Sequence, residues 1–113
     1  MYPYMLSTAN TGKLDFTRVV ELCSANPAKI FGCTDKGSLA VGKDADIVVY
    51  DPTLDFTISQ KNMHSDCDHT IWEGTELHGY PRMTFSRGRK VYEDGKFLGE
   101  PGWGKFVKRS LKK

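Results

Sequence analysis

The sequence predicts an α+β fold: two short N-terminal helices, then a small antiparallel-rich β-sheet or partial β-sandwich, then an extended C-terminal tail. Three observations carry this expectation. Apolar residues recur at helical spacing only ahead of residue 33. Beyond residue 45, short β-branched and alternating runs take over, separated by Arg87-Gly88 and Asp94-Gly95. After residue 98, glycine and proline recur too often for regular structure. The expected division is a helical segment over 1–34, a sheet over 35–98 and a tail over 99–113.

Residues 1–12 carry Pro3, Asn10 and Gly12 with no clear period, and read as an irregular lead-in. Asp15 is a suitable N-cap for a helix starting at Phe16, its carboxylate able to accept an orphan backbone N–H. Phe16, Val19, Val20 and Cys23 form the apolar stripe of that helix, with Thr17, Arg18 and Glu21 on the wet side. A second helix is expected after a joint at Ser24 and Ala25, with Asn26 as N-cap, Pro27 at the first helical position and Gly32 as the stop. Ala28, Ile30 and Phe31 would be its apolar face.

Val41, Gly42 and Lys43 read as a tight bend leading into a strand over 46–50. Ile47, Val48 and Val49 are consecutive β-branched residues, the pattern of a strand covered on both faces. Pro52 should stop it, because proline has no N–H to give a ladder. Phe56 and Ile58 alternate inward in a further run over 55–59. Residues 60–74 read as a long polar loop anchored by Ile71 and Trp72. Short strands follow over 76–78, 83–86, 89–93 and 96–98, and the Asp94-Gly95 pair is the strongest hairpin signal among them.

Composition narrows the function classes. At 113 residues the chain is at most one domain with a modest core. Its 39% hydrophobic content is low and its 11 glycines are many, which suits a turn-rich β module that borrows surface from elsewhere. A net charge of +2 lacks the concentrated positive field of a nucleic-acid or membrane binder. Cys23, Cys33 and Cys67 are odd in number and irregularly spaced, which argues for a reducing, cytoplasmic setting rather than a disulfide framework.

Candidate chemistry is sparse. His64, Cys67 and His69 form H-x2-C-x-H with Asp66 and Asp68 interleaved, but zinc sites commonly join two such couples and only one is present. The simpler reading is a polar loop; a small zinc-binding protein stays as an alternative. Cys23 falls on the apolar stripe of a helix, where a structural thiol is expected. Asp44 and Asp46 read as solvated charges rather than an acid–base pair. Lys105, Lys108, Arg109, Lys112 and Lys113 make the tail basic, with Trp103 and Phe106 as apolar anchors expected to dock on a neighbouring subunit.

The stretch KGSLAVGKDADIVVYDP (36–52) resembles the exit from the barrel of amidohydrolase-superfamily enzymes. The later IWEG, SRGRKVYEDGK and GEPGWGKF narrow the resemblance to the C-terminal region of the dihydropyrimidinase and hydantoinase family. That resemblance implies a parent with a (β/α)8 barrel, a β-sandwich and two divalent cations, zinc among them, hydrolysing cyclic amides. The metal ligands it implies, including a His-x-His pair, precede the stretch matched here. The expectation is therefore a non-catalytic scaffold with no catalytic, cofactor or metal residue of its own, forming a homo-oligomer. The alternative from another class is a stand-alone structural or oligomerisation module.

Overall fold

Leu6, Ala9 and Val19 pack into the centre of the molecule, and the helices that carry them are set by local chemistry. The computed structural model describes residues 1–110. Helix α1 spans Tyr2–Asn10, with Pro3 in its first turn, where a missing N–H costs nothing. It ends in a Schellman closure: Lys13 N–H reaches Thr8 O (3.2 Å) and Gly12 N–H reaches Ala9 O (2.9 Å), with Gly12 at φ +75. The lead-in is thus helical, contrary to the sequence expectation. Its order comes from tertiary packing, since Leu6 and Ala9 are buried against Val19 from a later helix.

Helix α2 (Phe16–Val20), a π-turn (Glu21–Ala25) and helix α3 (Asn26–Ile30) run on as one helix over 16–30. The expected joint is absent: Ala25 and Asn26 both have α-helical dihedrals, and Asn26 donates its N–H to Glu21 O, five residues back. Asn26 therefore does not cap a new helix. The wider turn sits immediately before Pro27, whose ring would crowd a regular i−4 carbonyl. Asp15 occupies the N-cap position as expected, but its side chain makes no cap hydrogen bond. Gly32 closes the helix as predicted, at φ +66, with Cys33 N–H to Ala28 O (2.8 Å) and Gly32 N–H to Lys29 O (3.3 Å). Ile30 and Phe31, expected to form the apolar face, are exposed, at the last helical residue and the C-cap where the chain turns away.

The sheet contains four antiparallel strands in sequence order: β1 (Ile47–Thr57), β2 (Glu76–Ser86), β3 (Arg89–Glu93) and β4 (Lys96–Phe97). Two helices and this meander make the α+β fold predicted. Both expected turns are present, with left-handed dihedrals at Arg87, Gly88, Asp94 and Gly95. Yet β1 is an edge strand, and Val48 and Val49 are exposed rather than covered on both faces. Their β-branched character fixes an extended backbone, not its neighbours.

Pro52 interrupts the β1 ladder without ending the strand. Pairing runs from Ile47 to Asp51, skips Pro52, Thr53 and Leu54, and resumes at Asp55 opposite His78. Asp51 Oδ1 accepts from Thr53 N–H (2.9 Å) and Thr53 Oγ1–H (2.7 Å), holding the bulge. Strand β2 likewise merges two expected strands through Gly79 and Pro81. An irregular register between Val49 and Tyr50 lets the proline pass inside a central strand.

Ser59 caps a short 3-10 turn (Gln60–Asn62) in a capping box with Asn62. Trp72 anchors the following loop by packing on Tyr4, ring centroids 4.9 Å apart, whereas Ile71 is exposed. Phe56 stacks on Tyr80 at 3.9 Å and Ile58 is buried, as the alternation predicts.

Candidate functional site

The two histidines and the cysteine of H-x2-C-x-H do not converge. His64 sits edge-on to Tyr92, His69 Nδ1 pairs with Asp68 Oδ1 at 2.7 Å, and Cys67 is a free, exposed thiol. Among the described residues, no group of three or more His, Cys, Asp or Glu side chains is placed to hold a metal ion. The dinuclear centre implied by the resemblance therefore does not fit these residues.

A cleft of about 530 Å³ lies between the helix over 16–30 and the chain entering β1. Cys23, Cys33, Lys36, Asp44 and Asp46 line it, together with Tyr2, Pro27, Phe31 and Val48. Lys36 is shared by two carboxylates, with Nζ 2.8 Å from Asp44 Oδ2 and also bonded to Asp46. Hydrogen bonds to Asp44 and then Asp46 raise the Lys36 pKa, so its ammonium is not a base at neutral pH. Burial pushes the Asp46 carboxyl up, but the Lys36 bond and the Arg87 N–H (2.8 Å) outweigh it and hold the group below its usual range. Asp44 and Asp46 are thus ion-paired rather than simply solvated. Their chemistry ties the loop over 33–46 to the β2–β3 turn.

A second polar cluster joins α1 to the interrupted ladder. Asn10 Nδ2 donates to Pro52 O (2.8 Å) and His78 O (3.1 Å), carbonyls beside the skipped pairing. His78 N–H donates to the buried Ser7 Oγ (2.8 Å), and Tyr50 O–H to His78 O (3.2 Å). His78 Nδ1 lies 3.1 Å from Asp55 Oδ1. Ser7, His78 and Asp55 have the composition of a nucleophilic triad. The Ser7 hydroxyl, however, is bonded by the His78 backbone rather than its imidazole, so the arrangement is a strut.

Sequence reasoning passed over Ser7, Asn10, Tyr50 and Gly79 in this cluster. The available signal was Gly79 inside an otherwise alternating run, which marks a close backbone approach.

The tail returns to its own sheet. Trp103 donates from Nε1 to Ser86 O (3.2 Å), and the Arg87 and Arg89 guanidinium carbons lie 4.8 and 5.0 Å from its ring centroid. Trp103 therefore anchors the tail on this chain's own sheet. Its ring covers the two arginines of the β2–β3 hairpin. Phe106 is exposed, and Lys112 and Lys113 lie outside the described residues.

Comparison with known proteins places this geometry in a family. Residues 6–92 match the model of the amidohydrolase family. The chain is similar to a D-hydantoinase from Ralstonia pickettii, 43% identical over 88% of this chain and 22% of that protein. A dihydropyrimidinase from Rattus norvegicus is 48% identical over 88% of this chain and 20% of its own length. Among solved structures, a D-hydantoinase (dihydropyrimidinase) from Thermus sp. superposes with a TM-score of 0.86 at 43% identity, over 95% of this chain and 24% of that one. An L-hydantoinase (dihydropyrimidinase) from Arthrobacter aurescens gives 0.87 at 37% identity, over 94% and 24%. The chain thus spans about a fifth of the length of the curated relatives it matches. By residues 6–92 and by this superposition, the chain belongs to the amidohydrolase family, as a partial counterpart of hydantoinases and dihydropyrimidinases.

Proposed function

We propose that this chain is the non-catalytic scaffold and subunit-contact region of a metal-dependent hydrolase of cyclic amides, the dihydropyrimidines and hydantoins. One observation carries the reading: similarity to hydantoinases runs over 88% of the chain yet takes up only 22% of the relative. In this reading the two divalent cations, zinc among them, and the groups that activate water are held by other parts of a full-length relative. Residues 1–34 lie against the barrel, 35–98 form part of the sandwich and 99–113 are the tail. The chain contributes no catalytic, cofactor or metal residue.

No helix among the described residues is long and apolar enough to cross a membrane. We place the parent enzyme in the cytoplasm as a homo-oligomer, consistent with the free thiols.

The test is direct. The purified 113-residue chain, supplied with excess Zn²⁺, should hydrolyse neither hydantoin nor dihydrouracil above the buffer rate. Turnover by the chain alone, or tight uptake of two zinc ions per chain, overturns the proposal.

A further inference from the structure

The tail near residue 110 holds a serine in a setting that the scaffold reading does not use. Ser110 is flanked by Lys108 and Arg109 before it and by Lys112 and Lys113 after it. Basic side chains on both sides suit an acceptor segment read by an acidic protein surface, with the hydroxyl between them. Residues 104–110 are exposed and without regular structure, as a segment must be to enter an enzyme's cleft in extended form. Ser7, by contrast, is buried in the seam between α1 and β2. Ser86 is half-buried in β2.

That segment also lies against the end of the helix over 16–30. Ser110 N–H donates to Gly32 O at 2.8 Å, at the closure of the helix over 16–30. Ser110 therefore borders a cleft of about 570 Å³ that is also lined by Lys29, Lys36 and Lys43. Lys36 is committed to Asp44 and Asp46. Lys43 donates to the Thr34 carbonyl, a neutral partner, which leaves its charge uncompensated by that bond. Lys29 lies in the last turn of α3. Lys29 and Lys43 thus line the same cleft as Ser110, and their positive charges offset the negative end of the helix there.

We propose that Ser110 is a phosphorylation site for a basophilic serine/threonine kinase, and that Lys29 and Lys43 receive the phosphate. In the transfer, Ser110 Oγ bonds to the γ-phosphorus of a nucleoside triphosphate. The bond from that phosphorus to the bridging oxygen breaks, the nucleoside diphosphate leaves and the hydroxyl proton passes to the kinase's base. The phosphoserine then fastens the tail to the helix end by charge-assisted hydrogen bonds, where the unmodified tail is joined there by the Ser110–Gly32 backbone bond.

The full 113-residue chain is incubated with the catalytic domain of protein kinase C and Mg-ATP, and the product is mapped by mass spectrometry. Phosphate is expected on Ser110, with incorporation falling to background in S110A. Phosphorus NMR then follows the phosphate through its second ionisation. Its midpoint should lie lower in the native sequence than in the K29Q/K43Q double variant, and the two should coincide in concentrated urea. Equal incorporation in S110A overturns the modification site. Identical midpoints in the folded proteins overturn the receiving lysines.

Discussion

The hydroxyl of Tyr50 fills the space that a side chain on Gly79 would need. A Cβ at Gly79 would overlap that oxygen, and the residue also has φ +85, so both sterics and backbone demand glycine there. Gly79→Ala should lower stability by about 2–4 kcal/mol, combining backbone strain with overpacking. Urea unfolding measures it. Tyr50→Phe should rescue Gly79→Ala only partly, because the Tyr50 ring carbon that bears the hydroxyl would also crowd the new Cβ. Full additivity in that double-mutant cycle would disprove the contact.

Asn10 closes the gap that Pro52 leaves in the ladder, through its bonds to Pro52 O and His78 O. Asn10→Ala should cost about 1–2 kcal/mol by removing two donated bonds. Asn10→Asp should cost more near neutral pH, since a carboxylate would face two carbonyl oxygens. Thermal unfolding of both variants orders them, and an Asn10→Asp protein at least as stable as the alanine variant contradicts this role.

The acid side of the stability profile follows from the depressed carboxyls. Burial raises Asp46, but Lys36 and the Arg87 N–H more than offset it, and Asp51 is held low by its bonds from Thr53. Asp94 is held low by Arg82. Each has a folded pKa below the ordinary value of 3.8, so its contribution is present above that pH and is lost as the pH falls through the folded value. Unfolding midpoints should be flat from pH 7 to about 5 and fall below about 4. Asp46→Asn should flatten that acid limb. Lys36 works in the opposite direction: its contribution is fully present below the ordinary value of 10.5, and is lost as pH climbs through the raised folded value.

Trp103 holds the tail between Arg87 and Arg89, with each cation contact worth about 0.5–1 kcal/mol at an exposed site. Trp103→Ala should leave the global unfolding midpoint nearly unchanged. Cleavage by trypsin after Lys105 should become several-fold faster, as expected for a locally tethered segment. An unchanged cleavage rate would show that the indole does not tether the tail.

Strand β1 presents an open hydrogen-bonding edge with Val48 and Val49 exposed. Such an edge is a template for another chain. The isolated chain should self-associate, and Val49→Lys should shift its sedimentation toward the monomer. A monodisperse native monomer at high concentration would count against the subunit-contact reading.

What the sequence determined by itself was local. Gly32 ended a helix, Arg87-Gly88 and Asp94-Gly95 made hairpins, and the Phe56/Ile58 alternation set an inward face, because each depends on a few adjacent backbone angles or on the strand period. The resemblance that the family match upholds was likewise legible. Tertiary structure decided the rest. Residues 2–10 became a helix because Val19 buries Leu6 and Ala9, and β1 continued past Pro52 because Asn10 satisfied the carbonyls beside the gap. Val48 and Val49 ended on an open edge although their composition suits an interior strand. Propensity acts along a few bonds of chain, whereas burial and hydrogen-bond satisfaction depend on which distant segments arrive beside it.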